Sequence, residues 1–307
     1  MERIAALVVT FNRKDVLIHT LEAVMNQTRK PDLLVIVNNG STDGTGEFLE
    51  EFSKTHEDVE ILNMSENLGG AGGFSRGIHY VYDKGQYDWV WLMDDDAIPA
   101  PNALETLLSF YNSLSEKKKK RVGVLQNQMI ADREKFDELL TRPQKLKARK
   151  RIFGMFVGYL IKTGVIGRVG FPREEFFIYS DDAEYTFRVK KMGFKVYTVL
   201  GSYIYHQDWL RSDRVRRWIF SKPDIPPWKA YYNVRNGLIT FENNIFMRIL
   251  LLIYFTCDYL TWKIVKPEVA PFVRRAIKDG LTGTLGKTVL PGQRILPGED
   301  ICGEKDS

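Results

Sequence analysis

The stretch WVWLMDDDAIP, residues 89–99, ends a strongly apolar run with three consecutive aspartates. A short apolar run that stops at polar residues predicts a buried strand. The three carboxylates repel one another, so a compensating positive charge is expected beside Asp94, Asp95 and Asp96. The stretch therefore predicts a core strand that ends in three adjacent carboxylates.

The sequence before this strand alternates between apolar runs and segments with helical spacing. Strands are predicted at residues 3–11 (RIAALVVTF), 32–40 (DLLVIVNNG) and 59–64 (VEILNM). The segments between them have apolar residues three and four apart, or carry helix-capping residues. This alternation predicts an α/β fold with a doubly wound, mostly parallel sheet.

Polar residues or glycines follow each of the four predicted strands. In such sheets ligands bind outside the carboxyl ends of the strands. Each group could be an ordinary turn, but four at one predicted edge favour a ligand cleft. The residues at the four ends are Thr10, Asn12 and Arg13; Asn38 and Asn39; Gly69 and Gly70; and Asp94, Asp95 and Asp96.

The aspartates by themselves permit two interpretations. Residues two apart in an extended chain face the same side, so Asp94 and Asp96 could bind one hard cation such as Mg²⁺ or Mn²⁺. Alternatively, the turn could cap the following helix, because Pro99 and Pro101 suit a helix start. The residues alone leave both interpretations open.

Several further motifs follow in a fixed order, and together they resemble the family 2 glycosyltransferases. The likeness is closest to the bacterial galactofuranosyltransferases and rhamnosyltransferases. It departs from many members of the family at Asn38 and Asn39, where they carry two aspartates. The motifs are TFNR (10–13), VNNGSTDGT (37–45), NLGGAGGFSRG (67–77), WLMDDDA (91–97), SDDAEYTFRVKKMGFKV (180–196), GSYIYH (201–206), YYNVRN (231–236) and DGLTGTLGK (279–287).

The resemblance implies a GT-A-like nucleotide-sugar domain and a role for particular residues. It implies that Asp94, Asp96 and His206 bind Mn²⁺ or Mg²⁺. It also implies that Asp182 is the general base of an inverting transfer, with Asp181 beside it. Residues implied near the nucleotide are Thr10, Asn12, Arg13, Asn38, Asn39, Gly70, Arg76 and Asp95.

The same residues have ordinary structural explanations when the resemblance is set aside. Asp181 and Asp182 could stabilise a helix N-terminus, where negative charge is favourable. His206 follows a predicted strand and could be structural. Arg13 and Arg76 could be surface residues.

The resemblance implies transfer of a sugar to a growing bacterial cell-surface polysaccharide or lipid-linked glycan. Galactofuranose from UDP-galactofuranose is the first expectation, and rhamnose from dTDP-rhamnose is the second. One alternative is a sugar nucleotidyltransferase, although TFNRKD lacks the Gly- and Arg-rich loop that such enzymes need. Another is a non-catalytic, membrane-associated scaffold.

The most apolar stretch is IFMRILLLIYFTCDYLTWKIV, residues 245–265, interrupted by Arg248, Asp258 and Lys263. Its uninterrupted core is expected to be too short to span a bilayer. It could be a buried helix or a helix lying in the membrane interface. We expect the second, with help from the nearby basic and aromatic residues Arg211, Arg214, Arg216, Arg217 and Trp218.

Composition narrows the remaining possibilities. The net charge of +5 over 307 residues does not indicate nucleic-acid binding. Cys257 and Cys302 have no spacing typical of a zinc site or a disulfide framework. We expect a cytoplasmic protein, peripheral on the inner face of the plasma membrane. The predicted domains are a catalytic domain (1–210), a helical region (211–290) and a disordered tail (291–307).

Overall fold

The structure is a computed structural model that describes residues 2–142, 146–206 and 225–296. These residues form two compact units. The first contains residues 2–174, without 143–145, and 182–206; the second contains residues 175–181 and 225–296. The predicted domain boundary at residues 210 and 211 lies outside the described residues, as do Arg211, Arg214, Arg216, Arg217 and Trp218.

The first unit begins with the predicted alternation of strands and helices. Four strands pair in parallel in the order β3-β2-β1-β4. They are β1 (Ile4–Thr10), β2 (Leu33–Asn38), β3 (Val59–Asn63) and β4 (Trp89–Asp94). The helices between them are α1 (Lys14–Met25), α2 (Thr45–Lys54) and α3 (Gly69–Asp83).

The sheet continues beyond β4 with mixed strand directions. Its remaining strands are β5 (Ile98–Pro99), β6 (Val122–Ile130), β7 (Lys147–Lys150), β8 (Tyr159–Lys162) and β9 (Lys195–Tyr205). Strand β8 lies antiparallel between β4 and β6, whereas β6 and β9 are parallel. Strands β5 and β7 both pair antiparallel with β9. The predicted α/β fold with a large, mostly parallel sheet is confirmed.

Five further helices accompany these strands. They are α4 (Ala103–Asn112), α5 (Glu116–Lys119), α6 (Arg133–Leu140), α7 (Thr163–Val169) and α8 (Asp181–Lys191). Hydrophobic clusters cover both faces of the sheet: Ala6 and Val8 of β1 face one cluster, and Leu7 faces the other. Burial on both faces explains why the parallel strands are continuously apolar in sequence.

The glycines of the NLGGAGGFSRG motif allow α3 to pack closely on the sheet. A Cβ atom added at Gly77 would lie 2.4 Å from Leu7 Cδ1 and 2.7 Å from Leu7 Cδ2. One added at Gly73 would lie 2.5 Å from Val9 Cγ1. These glycines therefore allow α3 to pack closely against β1, because a glycine has no Cβ atom.

The second unit is helical and has its own core. Its helices are α9 (Pro227–Thr240), α10 (Ile245–Val265) and α11 (Ala270–Thr282), which confirms the predicted helical C-terminal region. Tyr231, Trp262 and Phe272 are among the residues of that core. Leu296, within the predicted tail, is buried there as well. Residues 297–307 lie outside the described residues.

Helix α10 corrects one expectation about the apolar stretch. It has 21 residues and is long and apolar enough, by length and composition, to cross a membrane, so the prediction that it is too short is wrong. Only 11% of an 18-residue apolar stretch of this helix is buried, which does not fit a buried core helix. Its exposed apolar stripe consists of Phe246, Ile249, Leu250, Ile253, Leu260 and Ile264.

Candidate active site

The acidic turn and His206 meet because the two-residue strand β5 pairs with the end of β9. Asp94 is the last residue of β4, and β5 begins two residues after Asp96. Strand β5 pairs antiparallel with the end of β9, with Ile98 opposite Tyr205. His206 directly follows Tyr205, so this pairing places the histidine beside the aspartates.

Asp94, Asp96 and His206 form a potential metal centre. One ligand atom from each lies within 4.8 Å of the others, and His206 Nε2 is 3.0 Å from Asp96 Oδ1. Two carboxylates and one imidazole suit Mn²⁺, and the oxygens also suit Mg²⁺. The side chains present therefore fit the cation that the family resemblance implies.

The repulsion among the aspartates is balanced in part by Arg13. Its guanidinium Nη1 lies 3.0 Å from Asp95 Oδ1 and 2.6 Å from Asp96 Oδ2. Burial would raise the pKa of Asp96, but hydrogen bonds and charges from His206 and Arg13 together lower it to about 2. Asp96 is therefore ionised at neutral pH.

Asp94 has the opposite electrostatic environment. Burial, together with the negative charge of Asp96, raises the pKa of Asp94 to about 7. The negative charge of Asp182 makes a smaller contribution to the same rise in the pKa of Asp94. A site with this excess of acid is electrostatically suited to a divalent cation.

Asp95 makes a different set of contacts from its two neighbours. Its Oδ2 accepts a hydrogen bond of 2.9 Å from Thr10 Oγ1, and its backbone carbonyl accepts one of 2.7 Å from Thr20 Oγ1. Asp95 thereby ties the acidic turn to β1 and α1. The role of Thr20 has no sequence signal, because a threonine within a helix belongs to no motif quoted above.

Asn38 and Asn39 connect the loops that follow the strands. Asn39 Nδ2 donates to the Gly69 carbonyl at 2.9 Å, while its Oδ1 accepts from the Leu68 N–H at 3.0 Å. An aspartate could not make the first of these bonds, which explains the departure at Asn39 in physical terms. Asn38 Nδ2 donates to Asn63 Oδ1 at 2.9 Å. Direct contacts of these amides with a nucleotide base stay a prediction.

The other residues predicted near the nucleotide occupy the same loop region or α3. Asn12 has a left-handed φ of 53° and accepts from the Thr42 N–H at 2.7 Å. A Cβ added at Gly70 would meet no atom within 4 Å, so this position is open. Arg76 forms an ion pair with Glu174, with Nε and Oε2 2.9 Å apart. Their contacts with a nucleotide also stay a prediction.

The second acidic motif begins helix α8. Asp182 is partly buried, and its Oδ1 accepts from the Ala183 N–H at 2.6 Å. Burial raises the pKa of Asp182 to about 6. Glu184, in contrast, is held by Arg188, whose Nε donates to Glu184 Oε1 at 2.7 Å. Asp181 is buried at the start of α8.

Comparison with protein families gives one matching model, described as glycosyl transferase family 2, over residues 5–136. Galactofuranosyltransferase GlfT1 of Mycolicibacterium smegmatis is 32% identical over 218 residues, which cover 67% of this chain and 71% of the relative. GlfT1 of Mycobacterium tuberculosis is 30% identical over 251 residues, which cover 76% of this chain and 81% of the relative.

Two solved structures share the fold at low sequence identity. GalNAc-T7 with UDP, GalNAc and Mn²⁺ has a TM-score of 0.57 and 13% identity, over 79% of this chain and 48% of that chain. Mannosyltransferase PcManGT from Pyrobaculum calidifontis, in complex with GDP-Man and Mn²⁺, has a TM-score of 0.52 and 17% identity, over 92% of this chain and 88% of that chain.

Proposed function

Because the chain belongs to glycosyl transferase family 2, we propose that it transfers galactofuranose from UDP-galactofuranose with inversion. The proposed acceptor is a growing bacterial cell-surface polysaccharide or a lipid-linked glycan. The observation that carries this proposal is the likeness to two galactofuranosyltransferases over more than two thirds of each relative. Family membership argues against the sugar nucleotidyltransferase alternative.

Metal dependence is part of the proposal. When bound by Asp94, Asp96 and His206, Mn²⁺ or Mg²⁺ would supply positive charge for the diphosphate of the donor and of the leaving group. The salt bridge with Arg13 helps to keep the carboxylate of Asp96 ionised, so that it can bind a cation at neutral pH. His206 adds a ligand whose place is fixed by the pairing of β5 with β9.

Asp182 is the proposed general base. Inverting transfer in one step needs a carboxylate that accepts the proton of the acceptor hydroxyl while the oxygen attacks the anomeric carbon. The raised pKa of Asp182 makes it a stronger proton acceptor than an exposed aspartate, yet leaves it mostly ionised at pH 7. Asp181 is proposed to assist by binding sugar hydroxyls.

The donor is tested by direct comparison. Release of nucleoside diphosphate is measured with UDP-galactofuranose, UDP-galactopyranose and dTDP-rhamnose, each with a short galactofuranosyl acceptor. The proposal expects turnover with UDP-galactofuranose to exceed the others by at least tenfold. A preference for dTDP-rhamnose would overturn the assignment of UDP-galactofuranose as the donor. Turnover with none of the three donors would favour the non-catalytic scaffold hypothesis.

We also propose that the exposed apolar stripe of α10 docks on an anionic lipid surface. The stripe carries large side chains such as Phe246 and Ile253, and Lys263 near its end is exposed to contact lipid phosphates. Apolar burial and electrostatic attraction together drive binding of such helices. Docking of this kind would bring the enzyme to a lipid-linked acceptor at the inner face of the plasma membrane.

A further inference from the structure

Two of the motifs quoted above, YYNVRN and DGLTGTLGK, have no part in the site described so far. The first lies on α9, and it ends with Arg235 and Asn236, which are both 0% exposed. The second begins at the end of α11. Both motifs contact residues 175–179, which belong to the same compact unit and precede α8 in the chain.

The amide of Asn236 contacts three backbone carbonyls of this segment. Its Nδ2 donates to the carbonyls of Phe176 at 2.9 Å, Ile178 at 2.8 Å and Tyr179 at 2.9 Å. Its Oδ1 accepts from Arg235 Nε at 2.8 Å, which fixes the orientation of the amide. One side chain therefore contacts three carbonyls of the segment that leads into α8.

Arg235 holds the start of the same segment. Its Nη2 donates to the carbonyls of Glu175 at 3.2 Å and Phe176 at 3.1 Å. Its Nη1 donates to the Gly286 carbonyl at 2.6 Å, and the Gly286 N–H donates back to Glu175 at 2.9 Å. Arg235, Gly286 of the DGLTGTLGK motif and Glu175 are thus joined in a closed ring of hydrogen bonds.

The held segment has an unfavourable backbone. Phe177, Tyr179 and Ser180 have φ angles of 65°, 68° and 64°, in the left-handed region that side chains with a Cβ atom disfavour. Such conformations persist only where surrounding contacts determine them, and they cluster at functional sites. Helix α8, which carries Asp182, begins immediately after Ser180.

We propose that Arg235 and Asn236 are positioning residues that fix segment 175–180 and, through it, the place of Asp182. This inference rests on the proposed function, in which Asp182 is the general base. A fully buried guanidinium is costly unless its donors are satisfied. Here Nη1 and Nη2 of Arg235 donate to backbone carbonyls, and Nε donates to Asn236 Oδ1. A displacement of the base by about 1 Å can lower a reaction rate on the order of 10²-fold.

The first test measures whether the segment is held, and it needs no substrate. Hydrogen–deuterium exchange of residues 175–182 is compared in wild type, Asn236→Ala and Tyr232→Phe. Tyr232 OH donates to the Val289 carbonyl at 2.7 Å, so Tyr232→Phe removes a buried bond on the same helix without touching the segment's carbonyls. Faster exchange only in Asn236→Ala is expected; unchanged exchange in that variant would overturn the inference.

The second test measures whether the segment acts through Asp182, using a double-mutant cycle. Asn236→Ala should lower kcat by roughly 10- to 100-fold with little change in the Kd for UDP with Mn²⁺. In an Asp182→Asn background the same change should alter kcat less than twofold, because no base remains to be misplaced. If Asn236→Ala does not fold, Arg235→Lys serves as a milder variant, because it keeps the positive charge but loses the guanidinium group.

The outcomes separate this inference from the proposed function. If Asn236→Ala lowers kcat equally in both backgrounds, Asn236 has a general structural role. That result would overturn the inference but not the proposed function. Full turnover of Asp182→Asn would overturn the base assignment and the inference together. Loss of kcat in Tyr232→Phe equal to that in Asn236→Ala, at equal Tm, would also overturn the inference.

Discussion

His206 Nε2 lies 3.0 Å from Asp96 Oδ1, although the two residues follow different strands that are far apart in the chain. The contact exists because the two-residue strand β5 pairs with the end of β9. The candidate metal centre therefore depends on strand pairing rather than on one local loop.

Loss of a metal ligand should strongly reduce transfer without unfolding the chain. Asp96→Ala should lower kcat/KM on the order of 10²- to 10³-fold. Because Asp96 lies in a turn after a strand, the far-ultraviolet circular dichroism should stay unchanged. EDTA should inactivate wild type, and Mn²⁺ should restore it. Asp83→Ala, an exposed aspartate on α3, is the matched control. Full activity in EDTA would exclude the metal role.

Stability should depend on pH through Asp94. Its pKa is raised in the folded state, so its contribution to stability is most favourable below the unfolded value of 3.8 and is lost as pH rises toward about 7. Without metal, Asp94→Asn should therefore raise Tm at pH 8 by roughly 2–8 °C and change it little at pH 4. Thermal unfolding at the two pH values checks this. An equal effect at both would contradict the raised pKa.

Replacement of the proposed base should affect turnover more than donor binding. Asp182→Asn keeps the shape of the side chain, so kcat should fall on the order of 10² to 10⁴-fold while the Kd for UDP with Mn²⁺ is retained. Because burial raises the pKa of Asp182 to about 6, kcat of wild type should fall as pH drops through that value. Asp181→Asn is the comparison variant; if it loses turnover and Asp182→Asn does not, the two roles are reversed.

Membrane docking should require the apolar stripe of α10. Replacing Phe246, Ile249 and Ile253 with Ser should release the protein from anionic vesicles in a flotation assay, while activity on a short soluble acceptor persists. Leu140→Ser, an exposed leucine on α6, controls for a general loss of surface hydrophobicity. Replacing Arg211, Arg214, Arg216 and Arg217 with Gln should weaken flotation in a salt-sensitive manner.

Two results would contradict the docking proposal. Wild-type protein that stays in solution with anionic vesicles would withdraw it. A stable dimer in solution that the Ser variants convert to monomers would assign the stripe of α10 to a contact between two copies of the chain instead.

The sequence by itself determined the α/β fold and the residues at the strand ends. Parallel strands buried on both faces must be continuously apolar, so β1, β2 and β4 are visible as apolar runs that stop at polar residues. Asp94 and Asp96 stand out for the same reason, because a change from apolar to acidic residues marks the strand end. The apolar stretch of α10 is also a local pattern, and the residues quoted from the sequence, 245–265, are those of the helix.

Only the tertiary structure decided which partners those residues have. The salt bridge from Arg13 to Asp96, the bond from Asn39 to Gly69 and the hold of Asn236 on segment 175–180 all join residues that are distant in sequence. A hydrogen bond is short and directional, so a local pattern carries no information about a partner that another element supplies. The backbone strain at Tyr179 and Ser180 is invisible in sequence for the same reason, because it exists only while distant side chains hold the segment in place.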